Sequence, residues 1–246
     1  MTSREAPPPS STGHIRNVIP GLYQSHLFKA HPWHGVHIGH EYPFRVSCFI
    51  EVVPTDTVKY ELDKNSGLLM VDRPQTYSNT CPFPYGLVPQ TLCDQRVAQR
   101  CMDVTGRTGI VGDGDPIDIC VVSERPIPHG NILLTARIIG GLRMIDHDEA
   151  DDKLIGVMKN DPAFGAWRDI NDCPHAFVER LKHYFITYKQ QPGKTSPCEI
   201  VEVYGAEEAH RMVEFAHEDY KDAYSPQHGA LSRAMVDPSE FPSDKL

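Results

Sequence analysis

The chain has 246 residues, of which 40% are hydrophobic and 23% charged, and its formal net charge at pH 7 is −9. That length and balance suit one folded domain and exclude a largely disordered chain. The acidic surplus speaks against a nucleic-acid or anionic-membrane partner, and no apolar run approaches the ~18 residues of a membrane-spanning helix.

Residues 1–13 carry three consecutive prolines and several serines, a composition that reads as a flexible tail. With no apolar leader in this stretch, a cytoplasmic location is expected. His31, His34, His37 and His40 recur every third residue, but Pro32, Gly35 and Gly39 interrupt the helix that would gather them around a transition metal. An irregular packed arm is expected there, with Trp33 as its hydrophobic anchor. From Ser47 the chain becomes a series of short runs rich in Val, Ile and Leu, bounded by Pro, Gly, Asn or Asp. They predict strands over 48–53, 58–62, 68–71, 117–122, 132–139, 142–145, 154–158 and 198–203. Asp63-Lys64-Asn65-Ser66-Gly67 tolerates a tight turn and predicts a hairpin. A helix is expected around 95–102.

The remaining helices come late. Asn171-Asp172-Cys173-Pro174 is a start signal, and Phe177, Leu181, Tyr184, Phe185 and Tyr188 then lay one apolar stripe along a helix. After Gly205, Ala209, Met212, Val213 and Ala216 do the same. Pro226, Pro238 and Pro242 suggest an extended tail from Tyr220 onward. Many short strands followed by two helices predict a mainly β fold with α: a closed or nearly closed antiparallel barrel, such as an OB-like one, with the two C-terminal helices packed on it. The seven cysteines are scattered, with no Cys-x-x-Cys pair, and are expected to be reduced.

The chemistry concentrates in Gly112-Asp113-Gly114-Asp115-Pro116-Ile117-Asp118. Three carboxylates share a turn shaped by Gly114 and Pro116, ahead of an apolar strand. Crowding that much negative charge is costly unless cations neutralise it. An EF-hand calcium loop is excluded, because Ile117 stands at a ligand position and Asp118 where the turn glycine belongs. A second acidic run, Asp146-His147-Asp148-Glu149-Ala150-Asp151-Asp152-Lys153, again follows one apolar strand and precedes another. Two such turns offer hard oxygen ligands for several Mg²⁺ ions and a lysine for a phosphate. No Gly-x-Ser-x-Gly or Walker-type phosphate loop is present.

At this point the chain resembles the soluble inorganic pyrophosphatases of the Mg²⁺-dependent, OB-barrel type (family I). The resemblance rests on Asp113-Gly-Asp-Pro-Ile-Asp118, preceded in order by Ile50-Glu51-Val52-Val53-Pro54, by Val58-Lys59-Tyr60-Glu61-Leu62-Asp63-Lys64, by Val71-Asp72-Arg73 and by Pro82-x-x-Tyr85-Gly86. The second acidic run and Tyr188-Lys189 complete it, over roughly 47–204. It implies a five-stranded OB-like barrel and hydrolysis of diphosphate to two phosphates, without a covalent intermediate, by a water held between two Mg²⁺ ions. Mn²⁺, Zn²⁺ or Co²⁺ are possible substitutes.

The same resemblance implies the roles. Asp113, Asp118 and Asp151 would hold the tightest metal, with Asp118 shared by a second ion; Asp146 and Asp151 would hold one that arrives with substrate, and Glu51 would complete the shell. Asp115 would take the proton of the attacking water. Lys59, Arg73, Lys153, Tyr188 and Lys189 would grip the phosphoryl groups, with Tyr85 and Glu61 close by. The chain departs from the family pattern at Cys81, where an aromatic hydroxyl often stands, and in an insertion at about 87–112. One domain over 14–220, a C-terminal extension over 221–246 and a homo-oligomer are expected. His147, Asp148 and Asp152 receive no role and read as solvated charge. Two other readings share parts of this pattern: a hydrolase of a different phosphoanhydride, and a non-catalytic relative that keeps the barrel as an interaction module.

Overall fold

The computed structural model describes residues 29–190 and 193–236, with 225–236 as backbone only. The expected tail at 1–13 lies outside the described residues.

Among the described residues ten strands form in chain order: β1 (Arg45–Val52), β2 (Val58–Leu62), β3 (Leu69–Pro74), β4 (Tyr85–Leu87), β5 (Val111–Gly112), β6 (Asp118–Val122), β7 (Ile132–Asp146), β8 (Glu149–Ala150), β9 (Lys153–Met158) and β10 (Cys198–Gly205). Helix α1 (Gln95–Thr105) lies between β4 and β5, α2 (His175–Thr187) precedes β10, and α3 (Ala206–Val236) follows it. The pairings run β1–β4–β6–β9–β7, and β7 pairs with β1 again, so five strands form a closed ring. The antiparallel expectation fails at one seam, because β6 and β9 pair in parallel. Parallel neighbours need a crossover, and here the chain supplies one by running through β7 and β8 between them. Strand β10 extends the sheet from β7, and β2–β3 form a separate hairpin.

The two strands expected at 132–139 and 142–145 are one, β7, running unbroken through Gly140 and Gly141. Those glycines are present for packing. A Cβ on Gly140 would stand 2.6 Å from the Tyr204 carbonyl oxygen, and one on Gly141 2.5 Å from the Tyr204 ring. Alternation along the strands sorts the core into two layers. Ile119 and Val121 of β6 pack with α1 residues Val97 and Cys101 and with α3 residues Ala209, Met212, Val213 and Ala216. Cys120 and Val122 face the other way, toward α2 residues Val178, Leu181, Tyr184 and Phe185. Both C-terminal helices therefore bury the apolar stripes that their sequences predict. Helix α3 continues to Val236, which corrects the extended tail expected from Tyr220. Apolar residues recur at helical spacing past that point, with Ala230, Leu231, Ala234 and Met235 three to four apart, and one proline does not end the helix.

Trp33 is buried, and its indole Nε1 donates to the Thr91 carbonyl at 2.7 Å. It anchors the N-terminal arm against Phe49, Leu62, Leu87 and Tyr220. The insertion carries α1, which has no side-chain cap of its own at Asp94. The α3 carboxylate of Asp219 accepts from the Arg96 N–H at 3.0 Å instead, in the way an N-cap would.

Candidate active site

Strand register brings the first acidic turn against the second. Asp118 opens β6 and lies directly beside Lys153, which opens β9. Asp146 closes β7, and the reversal through His147, whose φ is +57°, leads back through β8 to Asp151, whose N–H donates to the Met144 carbonyl at 3.0 Å. The first turn is clamped by the insertion. The Cys93 N–H donates to the Asp115 carbonyl at 2.7 Å, and Gly114, at φ +74°, donates its N–H to the Cys93 carbonyl at 3.0 Å. Gly112 has to be glycine at this clamp, because a Cβ would stand 2.3 Å from the Cys93 carbonyl oxygen.

These elements enclose a cavity of about 150 Å³. Its walls include Asp113, Asp115, Asp118, Asp146 and Asp151, with Glu51 and Glu61, and on the cationic side Lys59, Lys153 and Lys189, with Tyr85 and Tyr188. Arg73 is not on the wall; its guanidinium stands 5.6 Å from the centre of the Tyr188 ring, which is. Its Nη1 donates to Asp72 at 2.5 Å, while Nη2 is buried with no hydrogen-bond partner among the described residues. Cys81 is absent from the wall. It is fully buried, with its thiol directed to the Phe83 carbonyl at 3.2 Å. Asp152 is buried as well, where solvated charge was expected. It accepts from the Tyr204 hydroxyl at 2.9 Å and lies beside Arg143, and burial pushes its carboxyl up to about 7.

Two charged wall residues had escaped the sequence reading as site residues: Lys64, from the β2–β3 turn, and Glu149. Lys64 Nζ donates to Asp115 Oδ1. The hairpin that carries it is tied to the ring by Glu51, whose Oε1 accepts from the Leu62 N–H at 2.7 Å. The signal for Lys64 in the sequence is its place at the end of the Val58-to-Lys64 segment that carries the resemblance, in a turn five residues after Lys59.

The electrostatics follow from crowding. Lys153 is fully buried and bonds both Asp118 and Asp151, which hold its pKa well above the ordinary value despite the opposing effect of burial. Burial, and after it the Asp151 carboxylate, pushes Asp113 up to about 9. Burial and then Asp118 raise Glu51 to about 8. Burial works against charge on Asp146, but the ammonium of Lys189 keeps its pKa below the usual carboxylate range.

Among the described residues no three carboxylate, imidazole or thiol groups converge on one point, because Lys153 and Lys189 occupy the cation positions between the carboxylates. The donor set nevertheless fits hard divalent cations. It is all oxygen, it is buried or half-buried, and burial and crowding of like charge raise two of its members, Asp113 and Glu51.

A ring of five strands with carboxylates and ammonium groups crowded at one end is the architecture of a metal-assisted phosphoryl hydrolase. The family model for inorganic pyrophosphatase matches residues 48–221. An inorganic pyrophosphatase of Chlamydia muridarum is 48% identical over 195 residues, covering 77% of this chain and 93% of that one. A soluble inorganic pyrophosphatase of Chlamydomonas reinhardtii is 37% identical over 200 residues, covering 80% and 92%. The solved structure of the inorganic pyrophosphatase from Thermus thermophilus superposes with a TM-score of 0.65 at 27% identity, covering 78% and 99%. The chain belongs to the inorganic pyrophosphatase family.

Proposed function

We propose that this chain hydrolyses diphosphate to two phosphates by direct attack of water in the cavity between the two acidic turns. The observation that carries the reading is the union, in one cavity of about 150 Å³, of a carboxylate set and a separate cation set. Asp113, Asp118, Asp146 and Asp151, with Glu51, would hold Mg²⁺ ions, with Mn²⁺, Zn²⁺ or Co²⁺ as substitutes. Bound Mg²⁺ supplies Lewis acidity and positive charge that lower the cost of bringing a nucleophile to a polyanion.

The chain's own residues do the rest. Asp115, whose Oδ1 is engaged by Lys64, presents Oδ2 to take the proton of the attacking water. Lys153, Lys189 and the Tyr188 hydroxyl line the same space and grip phosphoryl oxygens. Arg73 joins them by turning its unpartnered Nη2 to the substrate. Lys59, now donating to Glu61 at 2.8 Å and Asp72 at 3.0 Å, stands ready as a further cation. Tyr85, held protonated by burial and by the charge of Asp118, orients that carboxylate. Among the described residues no serine, threonine, cysteine or histidine lines the cavity; its carboxylates are assigned to cations and to the proton of water, so the reading has water as the nucleophile and no covalent enzyme intermediate.

The catalytic unit is read as one domain over about 14–220, with 87–112 inserted and 221–246 appended; the family match, over 48–221, supports its C-terminal boundary. A cytoplasmic homo-oligomer is the accompanying proposal. Among the described residues no helix is long and apolar enough to cross a membrane, and Leu68, Met70, Val71 and Leu133 expose apolar surface that a second copy would cover.

Phosphate release from diphosphate by the purified chain, with and without Mg²⁺ and beside ATP and tripolyphosphate, tests the reading. Mg²⁺-dependent release chiefly from diphosphate is expected. Silence on diphosphate from folded, Mg²⁺-loaded protein, or faster release from the larger anhydrides, would overturn it.

A further inference from the structure

A second concentration of positive charge lies away from the catalytic cavity. Arg45 of β1 and Arg137 of β7 are directly opposed across the antiparallel ladder, a juxtaposition of like charges that costs stability unless something compensates. Arg168, in the loop after β9, joins them. Its Nη1 and the Nη1 of Arg137 donate to the same two carbonyls, Gly165 at 2.7 and 2.8 Å and Trp167 at 3.1 Å each. The two guanidinium groups therefore stand side by side.

Counter-charge is scarce. Arg45 pairs with Glu41, whose side chain is 56% exposed. Among the described residues no carboxylate forms an ion pair with Arg137 or Arg168; Asp172 accepts from the Arg168 backbone N–H, at 2.7 Å, and not from its guanidinium. Burial, then Arg168, then Arg45 depress the pKa of Arg137, the response of a cation facing cations. In a chain of net charge −9, three guanidiniums meeting with one ion-paired carboxylate, Glu41, and the charge of Asp172 near Arg168 run against the overall field.

The arginines line a groove of about 360 Å³ between β1, β7 and the start of α3. Its remaining walls include Glu41, His210, whose Nε2 is buried without a hydrogen-bond partner among the described residues while the imidazole is held to the Ile138 backbone, and Phe44, which packs edge-on against that imidazole at 4.8 Å and exposes 61% of its surface. None of these residues belongs to the catalytic cavity. From Arg137 to Asp146 strand β7 runs about 30 Å, at ~3.3 Å per residue.

We propose that this groove is a second anion site, which binds a phosphate group through Arg137, Arg168 and Arg45 with His210 at its wall. Guanidiniums present paired donors in the geometry that phosphate oxygens accept, and the groove is of a size that holds a small ligand. The phosphate is either free phosphate or the head of a small organic phosphomonoester whose apolar part lies on Phe44.

The test is equilibrium binding of inorganic phosphate and of phenyl phosphate to the full chain in EDTA, where the catalytic carboxylates carry no divalent cation and repel dianions. Saturable binding with a Kd below about 10 mM is expected, weakened at least ~10-fold in Arg168→Met and in Arg137→Met. Glu41→Gln, which removes the competing carboxylate, should tighten it about 2- to 3-fold. A merely structural arginine cluster would not respond in that way. Phenyl phosphate binding at least ~5-fold tighter than phosphate, with the gain lost in Phe44→Ala, identifies the organic ester; equal binding of the two identifies free phosphate. No uptake of either probe, or binding that survives both arginine variants and disappears in Lys189→Met, would overturn the proposal.

Discussion

Helix α1 borrows its N-cap from another helix, and the consequence can be measured. The Asp219 carboxylate accepts from the N–H groups of Arg96 at 3.0 Å, Asp94 at 3.3 Å and Val97 at 3.5 Å, and from Arg96 Nη1 at 2.7 Å. Its side chain is only 2% exposed, so Asp219→Ala leaves these N–H groups without an acceptor and with little access to water. Loss of the cap costs about 1 kcal/mol, with a range of roughly 0.5–2. Unsatisfied buried donors add about 1–2 kcal/mol. The Arg96 bond adds little, because that guanidinium is 39% exposed and keeps Asp222 as a partner. The sum is roughly 2–4 kcal/mol, which for a chain of this size lowers Tm by about 5–12 °C. Asp219→Asn keeps an acceptor oxygen without the charge and should lose about half as much.

Because α1 starts next to Cys93, which clamps the Asp113–Asp115 turn, kcat for phosphate release should fall several-fold alongside the loss of stability. Thermal unfolding followed by circular dichroism, with phosphate release on the same samples, reads both. A Tm for Asp219→Ala within about 2 °C of wild type would refute the borrowed cap.

Asp115→Asn should lower kcat by about 10²–10⁴-fold while leaving Tm near wild type, because it removes a proton acceptor and keeps the shape; wild-type turnover would remove Asp115 from its role. Lys153→Met strands Asp118 and Asp151 without their buried cation, so KM should rise, kcat fall, and Tm measured in EDTA drop by more than Tm measured in Mg²⁺. Equal drops in the two conditions would show that the lysine and the metal do not share this charge. Gly112→Ala places a Cβ against the Cys93 carbonyl and should cost about 1–3 kcal/mol together with displacement of the acidic turn; full activity would mean that the clamp does not position the turn. Glu208 is opposed by burial but held at about 2 by hydrogen bonds from Arg100 and Arg143. A folded pKa below the unfolded value of about 4.3 gives stability that is complete above the unfolded value and is lost as pH falls through the folded one. At most about 3 kcal/mol, reduced by solvent screening of the partly exposed Arg100, therefore disappears between about pH 4.5 and 2. In urea unfolding, the gap between wild type and Glu208→Gln should narrow from pH 6 to pH 3, and a constant gap would contradict the linkage.

Local chemistry in the sequence specifies a great deal of this protein. The acidic run from Asp113 to Asp118 is a turn at a strand end because Gly114, Pro116 and the alternating Ile117 and Ile119 leave few other conformations, and that from Asp146 to Lys153 is placed as a turn by the apolar strands on either side of it. The stripes on α2 and α3 are legible because burial of one helix face repeats every three to four residues. Residues quoted from those motifs, Asp115 and Lys189 among them, meet at one cavity. Trp33 as an anchor and the helix in the insertion follow from composition alone.

What the tertiary structure alone decided depends on which distant strands pair, and nothing in a strand's own pattern names its partner. The parallel β6–β9 seam is the clearest case. It places Asp118 beside Lys153, a contact between residues 35 apart in the chain. Lys64 reaches Asp115 because Glu51, the packing of Leu62 and the His31 ring at the Lys64 carbonyl hold the hairpin against the ring of strands. Asp152, indistinguishable in sequence from its acidic neighbours, goes into the interior because strand alternation turns it toward Tyr204 and Arg143 while Asp151 faces the cavity. Arg45, Arg137 and Arg168 are unremarkable one at a time; register and a shared pair of carbonyls make them a cluster. Periodicity and turn chemistry act over a few residues and can be read directly, whereas pairing and burial are properties of the whole chain settling into one packing.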